Sequence, residues 1–171
     1  MTKTLTRTAL ALAILLLPSF LTAGTITLSG VHLCCKGCIK DAEKAVNSAG
    51  ATGKADHKKK TVTIDAKDEA TAKKAVAALA DHGYYGKSSY AAVSIPNDAP
   101  DKKVSSATVS GVHLCCRRCV KAIDELVDDL AGATEHTATS NGEAFKIKGD
   151  FTLKALQAAL HNVGLHGKIT E

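Results

Sequence analysis

All six cysteines of the chain stand in two sets, Cys34, Cys35, Cys38 and Cys115, Cys116, Cys119. Each set opens on the same heptapeptide, Ser-Gly-Val-His-Leu-Cys-Cys, at 29–35 and again at 110–116. Thiolates are soft donors that select Cu(I), Zn(II) or Hg(II) over magnesium and calcium. Two cysteines three residues apart converge on one ion when the first lies in a loop and the second starts a helix. The free N–H groups and partial positive charge of a helix amino terminus then favour the ionised, metal-binding form. Linear two-sulfur coordination suits Cu(I) or Hg(II), whereas one pair alone leaves a tetrahedral zinc site half filled. The candidate ligands are therefore Cys35 and Cys38 in the first set and Cys116 and Cys119 in the second. Cys34 and Cys115 are candidates for a third sulfur, a bridge to a second ion, simple packing or a vicinal disulfide. His32 and His113, identically placed beside the loops, are either further ligands or caps on polar backbone.

The same residue types allow other chemistry. A Cys-x-x-Cys at a helix start is compatible with thiol–disulfide exchange, and exported cysteines commonly pair as structural disulfides. Against the structural role, Cys35–Cys38 or Cys34–Cys35 bonds would close almost no chain, and loop closure is what makes a disulfide stabilising; bonds between the two copies would need close approach of both loops. Against the redox role, neither copy carries a proline near the cysteines.

The elements that must position these residues are themselves repeated. Cys35 to Cys116 is an offset of 81, as is Gly83 to Gly164, while Ala49-Gly50-Ala51-Thr52 matches Ala131-Gly132-Ala133-Thr134 at an offset of 82. Two diverged copies of one domain give this pattern. Each copy starts with a period-two strand, about 25–31 and 104–112. A helix follows the cysteines, about 38–49 and 119–131, with Val120, Ile123, Val127 and Leu130 on one face. Two strands come next, ending on 61–64 and 144–147, with Asn141-Gly142 as a hairpin signal. Second helices at about 69–81 and 153–162 are closed by Gly83 and Gly164, and last strands fall near 87–95 and 167–170. The order βαββαβ implies an α+β class, two tandem ferredoxin-like domains with helices on one face of an antiparallel sheet.

This layout, with Cys-x-x-Cys between the first strand and first helix and Gly83-Tyr84 after the second helix, resembles the heavy-metal-associated domain. That family includes copper chaperones, the amino-terminal metal domains of copper pumps and small periplasmic mercury-binding proteins. Its Gly-Met-Thr-Cys-x-x-Cys pattern maps the ligand pair onto Cys35 and Cys38, and onto Cys116 and Cys119. The methionine position holds Leu33 and Leu114, the threonine position Cys34 and Cys115, and the glycine position His32 and His113. The resemblance implies a soft metal ion as ligand, Cu(I) first, with Hg(II), Zn(II) or Cd(II) as alternatives. It also implies a metal-transporting membrane protein or another metallochaperone as exchange partner. Tyr84 and Leu165 are expected to cover the metal loops, and His166 is a weaker ligand candidate. His57, His82, His136 and His161 lack repeat partners and read as surface residues.

Residues 1–23 carry Lys3 and Arg7 ahead of an apolar run from Ala9 to Leu17 and end on Leu21-Thr22-Ala23, the layout of a secretory signal peptide. The expected organisation is thus signal peptide 1–23, first domain 24–95, linker 96–103 and second domain 104–171, in an exported, periplasmic or extracellular protein. Removing Lys3 and Arg7 lowers a formal charge of +5 by two, too mild a basic bias to argue for nucleic acid. Three Tyr, three Phe and no Trp leave little for base stacking. No Ser/His/Asp set, phosphate-cradling loop or carboxylate pair suggests hydrolysis or phosphoryl transfer. A non-enzymatic binding protein is the expectation.

Overall fold

The structure, a computed structural model, describes residues 22–171, so the expected signal peptide lies outside the described residues apart from its last two positions. The first unit runs β1 (Thr22–Ser29), α1 (Lys36–Ser48), β2 (Thr52–Asp56), β3 (Thr61–Asp68), α2 (Glu69–Asp81) and β4 (Lys87–Ser88). The second runs β5 (Lys103–Ser110), α3 (Arg117–Asp129), β6 (Ala133–His136), β7 (Ala144–Thr152), α4 (Leu153–Asn162) and β8 (Lys168–Thr170). Strand orders β2-β3-β1-β4 and β6-β7-β5-β8, antiparallel throughout, make each unit a ferredoxin-like βαββαβ domain.

Alternation builds each sheet. Ile26 and Leu28 of β1 face inward beside Val62 and Ile64 of β3, in the register Ile26↔Ile64 and Leu28↔Val62. In the second sheet Val109 and Ala107 stand opposite Phe145 and Ile147. The helices seal these faces with Ala42, Ala45 and Val46 of α1, and Ile123, Leu126 and Val127 of α3. Two separate cores result, one per domain. Asp68 and Thr152 cap α2 and α4 by accepting from Thr71 N and Ala155 N.

The expected strand over 87–95 ends at Ser88. The Ser88 hydroxyl accepts from Tyr90 N and donates to Tyr90 O, and Val93 N returns to Tyr90 O. This closed turn lifts the chain off the sheet edge and drives Val93 into the core. The segment over 96–103 is not a free spacer. Ala99 N donates to Gln157 Oε1, Gln157 Nε2 to Asp98 Oδ1, and Asn97 Nδ2 to Lys154 O, so the linker is laced to α4.

Candidate metal centre

The two cysteine loops face each other. A cysteine, Cys35 or Cys116, occupies the extended N-cap position of α1 and α3, where an oxygen side chain is usual. Cys38 and Cys119, one turn in, are buried, and the other four cysteines are half-buried. Leu33 and Leu114 fill the core beneath the loops.

Within the first loop Cys35 Sγ lies 3.4 Å from Cys38 Sγ, and within the second Cys116 Sγ lies 4.0 Å from Cys119 Sγ. The extra cysteines cross between domains. Cys34 Sγ is 3.4 Å from Cys116 Sγ and 3.6 Å from Cys119 Sγ, while Cys115 Sγ is 3.7 Å from Cys35 Sγ and 3.5 Å from Cys38 Sγ. Each also touches its own loop, Cys34 to Cys38 at 3.5 Å and Cys115 to Cys119 at 3.8 Å. All six thiols are free. Two overlapping tetrads, Cys34-Cys35-Cys38-Cys115 and Cys34-Cys115-Cys116-Cys119, are compact enough to hold a metal ion.

A pseudo-twofold contact holds the loops together. Tyr84 and Leu165 pair as an isolated antiparallel bridge, flanked by Tyr85 N donating to Gly164 O and His166 N donating to Gly83 O. The two glycines, at φ +84° and +77°, press onto the opposite domain's loop. A Cβ on Gly83 would lie 2.2 Å from His113 N, and one on Gly164 would lie 2.2 Å from Gly30 O. His32 N donates to Gly164 O, and Arg118 Nη1 donates to Cys34 O across the interface.

His113 belongs to the second domain but sits in the first. It stacks on Tyr84 at 4.6 Å, and its Nδ1 is 3.3 Å from Asp41 Oδ2; Asp41 Oδ1 also meets His82 Nδ1 at 3.1 Å. The Nε2 atoms of His32 and His113 are buried without a hydrogen-bond partner. Among the described residues the donor groups close enough to share one ion contain cysteine sulfurs alone, so neither histidine joins them.

The thiols titrate as a set. The Cys119 thiol, with burial opposing it and His113 helping, draws the Cys38 thiol far below the ordinary range. Cys119 is correspondingly pushed up, chiefly by Cys38. Burial and the Cys116 and Cys38 thiols raise Cys34 to about 12, and burial likewise raises Cys115. At Cys116 burial pushes up, but the Cys119 N–H, the Cys34 thiol and the Arg118 N–H outweigh it and bring the value down to about 7. Cys38 and Cys116 are thus readily ionised, and Cys34, Cys115 and Cys119 are held protonated until a cation arrives to take the charge.

Tyr84 and Leu165 are buried as cover, and the Tyr84 hydroxyl donates to Cys38 O at 3.3 Å. His161 is not on the surface: it is buried, stacked on Tyr85 of the first domain at 3.8 Å, with Nε2 3.1 Å from His166 Nδ1. His166 is spent on that pair and lies outside the sulfur cluster.

Two ferredoxin-like domains that present cysteine loops to each other define the class: a tandem α+β protein with a six-thiol centre able to hold a soft metal ion. No family model matches the chain, and no curated protein matches it. Among solved structures it is similar to the N-terminal soluble domains of Bacillus subtilis CopA, with a TM-score of 0.32 and 12% identity over 86% of this chain and 94% of that one.

Proposed function

We propose that the protein is an exported, non-enzymatic carrier that sequesters or hands over Cu(I) through Cys35, Cys38, Cys116 and Cys119. The observation that carries this reading is the convergence of all six thiols, unpaired, with Cys35–Cys38, Cys34–Cys116 and Cys116–Cys119 spacings of 3.4, 3.4 and 4.0 Å. Soft, sulfur-only donor sets favour Cu(I), Hg(II) and related ions. A linear two-sulfur ion with bonds of about 2.3 Å would hold its sulfurs about 4.6 Å apart. The shorter spacings here suit an ion that shares three or more thiolates better than one held by a single linear pair. Transfer would proceed by ligand exchange, with a metal-transporting membrane protein or another metallochaperone as donor or acceptor.

Native and denaturing mass spectra of the full mature chain, isolated anaerobically from its export compartment, test the reading. Bound copper with six free thiols is the expected result. A metal-free protein carrying disulfides, unable to take up Cu(I) or Hg(II) after reduction, would replace it with a crosslinked scaffold.

A further inference from the structure

We propose that Cys34 and Cys115 are exchanged ligands: each completes a three-sulfur face with the Cys-x-x-Cys of the opposite domain, fusing the two loops into one multinuclear Cu(I) centre. The inference rests on the soft-metal reading above and specifies its ligand set.

The distances assign the faces. Cys34 with Cys116 and Cys119 forms a triangle of edges 3.4, 3.6 and 4.0 Å. Cys115 with Cys35 and Cys38 forms a second, of edges 3.7, 3.5 and 3.4 Å. Three thiolates on one ion, with bonds of about 2.3 Å, stand about 4.0 Å apart, so both triangles are close to that size and need to open by at most about 0.6 Å to seat a trigonal ion. Each extra cysteine makes two sulfur contacts to the facing pair and one to its own, so the facing Cys-x-x-Cys is the pair it completes.

The two faces are also joined to each other. Cys34 remains 3.5 Å from Cys38 and Cys115 remains 3.8 Å from Cys119, and both residues belong to both metal-sized tetrads. Each is therefore placed to bridge ions on the two sides. Six thiolates that each bridge two ions, at three sulfurs per ion, serve about four Cu(I); two ions are enough to occupy the two faces. Every ligating thiol gives up its proton on binding, and the pseudo-twofold contact through Gly83 and Gly164 supplies the fixed approach that the exchange requires.

The test removes one domain's pair and asks which extra cysteine the other pair uses. In the full chain, Cys35→Ser/Cys38→Ser leaves Cys116 and Cys119 as the remaining pair. Adding Cys34→Ser to that background should weaken Cu(I) binding, measured by competition with a chromogenic Cu(I) chelator, by more than the roughly tenfold typical of losing an outer-shell partner. Adding Cys115→Ser should cost less. Equal affinities with and without Cys34, or a larger loss from Cys115, would overturn the exchange. X-ray absorption on the unmutated chain is independent of variant folding. Three sulfurs per copper with a copper neighbour supports one centre, and two sulfurs per copper without a neighbour refutes it. A chain that binds no Cu(I) at all refutes instead the carrier reading on which the inference stands.

Discussion

Replacing Gly83 by alanine should open the thiol cluster while leaving both cores folded. Gly83 has φ +84°, and its Cβ would meet His113 N at 2.2 Å and Gly111 O at 2.6 Å, both backbone atoms of the other domain. Left-handed backbone costs a residue with a Cβ about 1–2 kcal/mol. Restoring ordinary contact requires the domains to part by more than about 1 Å. Parting breaks the His166 N to Gly83 O hydrogen bond, worth about 1 kcal/mol. The backbone strain is common to the open and closed forms. The closed arrangement thus loses the hydrogen bond, about 1 kcal/mol, and any clash that parting leaves, which moves the open-to-closed ratio by at least about fivefold. Gly50→Ala is the control, since Gly50 has φ +79° but nothing within 4 Å of its Cβ, so it reports backbone strain without the interdomain clash. The assay is Cu(I) competition on both variants, with thermal melts alongside. Gly83→Ala should bind Cu(I) at least about fivefold more weakly than Gly50→Ala, with melting temperatures within a few degrees of each other. Equal Cu(I) affinity in the two variants would refute the claim that this contact holds the centre together.

Three other outcomes follow from the geometry. Cys116, at about 7, should be alkylated half-maximally near neutral pH in the metal-free protein, while Cys34, at about 12, should resist reagent until far more alkaline conditions; mass mapping of labelled peptides reads both. His161, held down to about 4 first by burial and then by His166, is neutral in the fold but takes a proton at its ordinary value of 6.5 when unfolded. Its contribution to stability is therefore present above pH 6.5 and lost as the pH falls towards 4. Denaturant melts should show that loss, and His161→Phe, which keeps an aromatic ring against Tyr85, should reduce it. Leu156→Ala, at a fully buried core position in the second domain, should cost about 2–5 kcal/mol there. Because the two cores are separate, hydrogen exchange in β1 and β3 should change far less than in β5 and β7.

The sequence reads well wherever a local pattern decides the outcome. The α3 face of Ile123 and Val127, the span of α2 and the strand alternation around Ile26 and Leu28 all express short-range periodicity, and each is found in the structure. It reads poorly where the partner is far away in the chain. Gly83 and Gly164 look like helix stops and are that, but their second role, pressing onto the opposite loop, leaves no local trace. His161 looks like a solvent residue because its cover, Tyr85, comes from the other domain. Asn141-Gly142 does turn, with Asn141 at φ +63°, yet it serves a longer loop that docks on the second metal loop through Asn141 N to Leu114 O. The strand expected over 87–95 fails because a serine hydroxyl, Ser88, bends the chain where hydropathy still favours extension. Cys34 and Cys35 look alike in the sequence, and only the approach of the second domain shows that Cys34 contacts Cys116 and Cys119.

The lacing of residues 97–99 to α4 has a kinetic meaning. A loose tether would let one set of thiols wander around the other, at an effective concentration set by chain statistics and in the millimolar range for a short flexible link. A tether fixed along one domain's helix removes much of that search. The second loop then meets the first as an intramolecular neighbour at any protein dilution, and the convergence of all six sulfurs becomes a property of a single molecule.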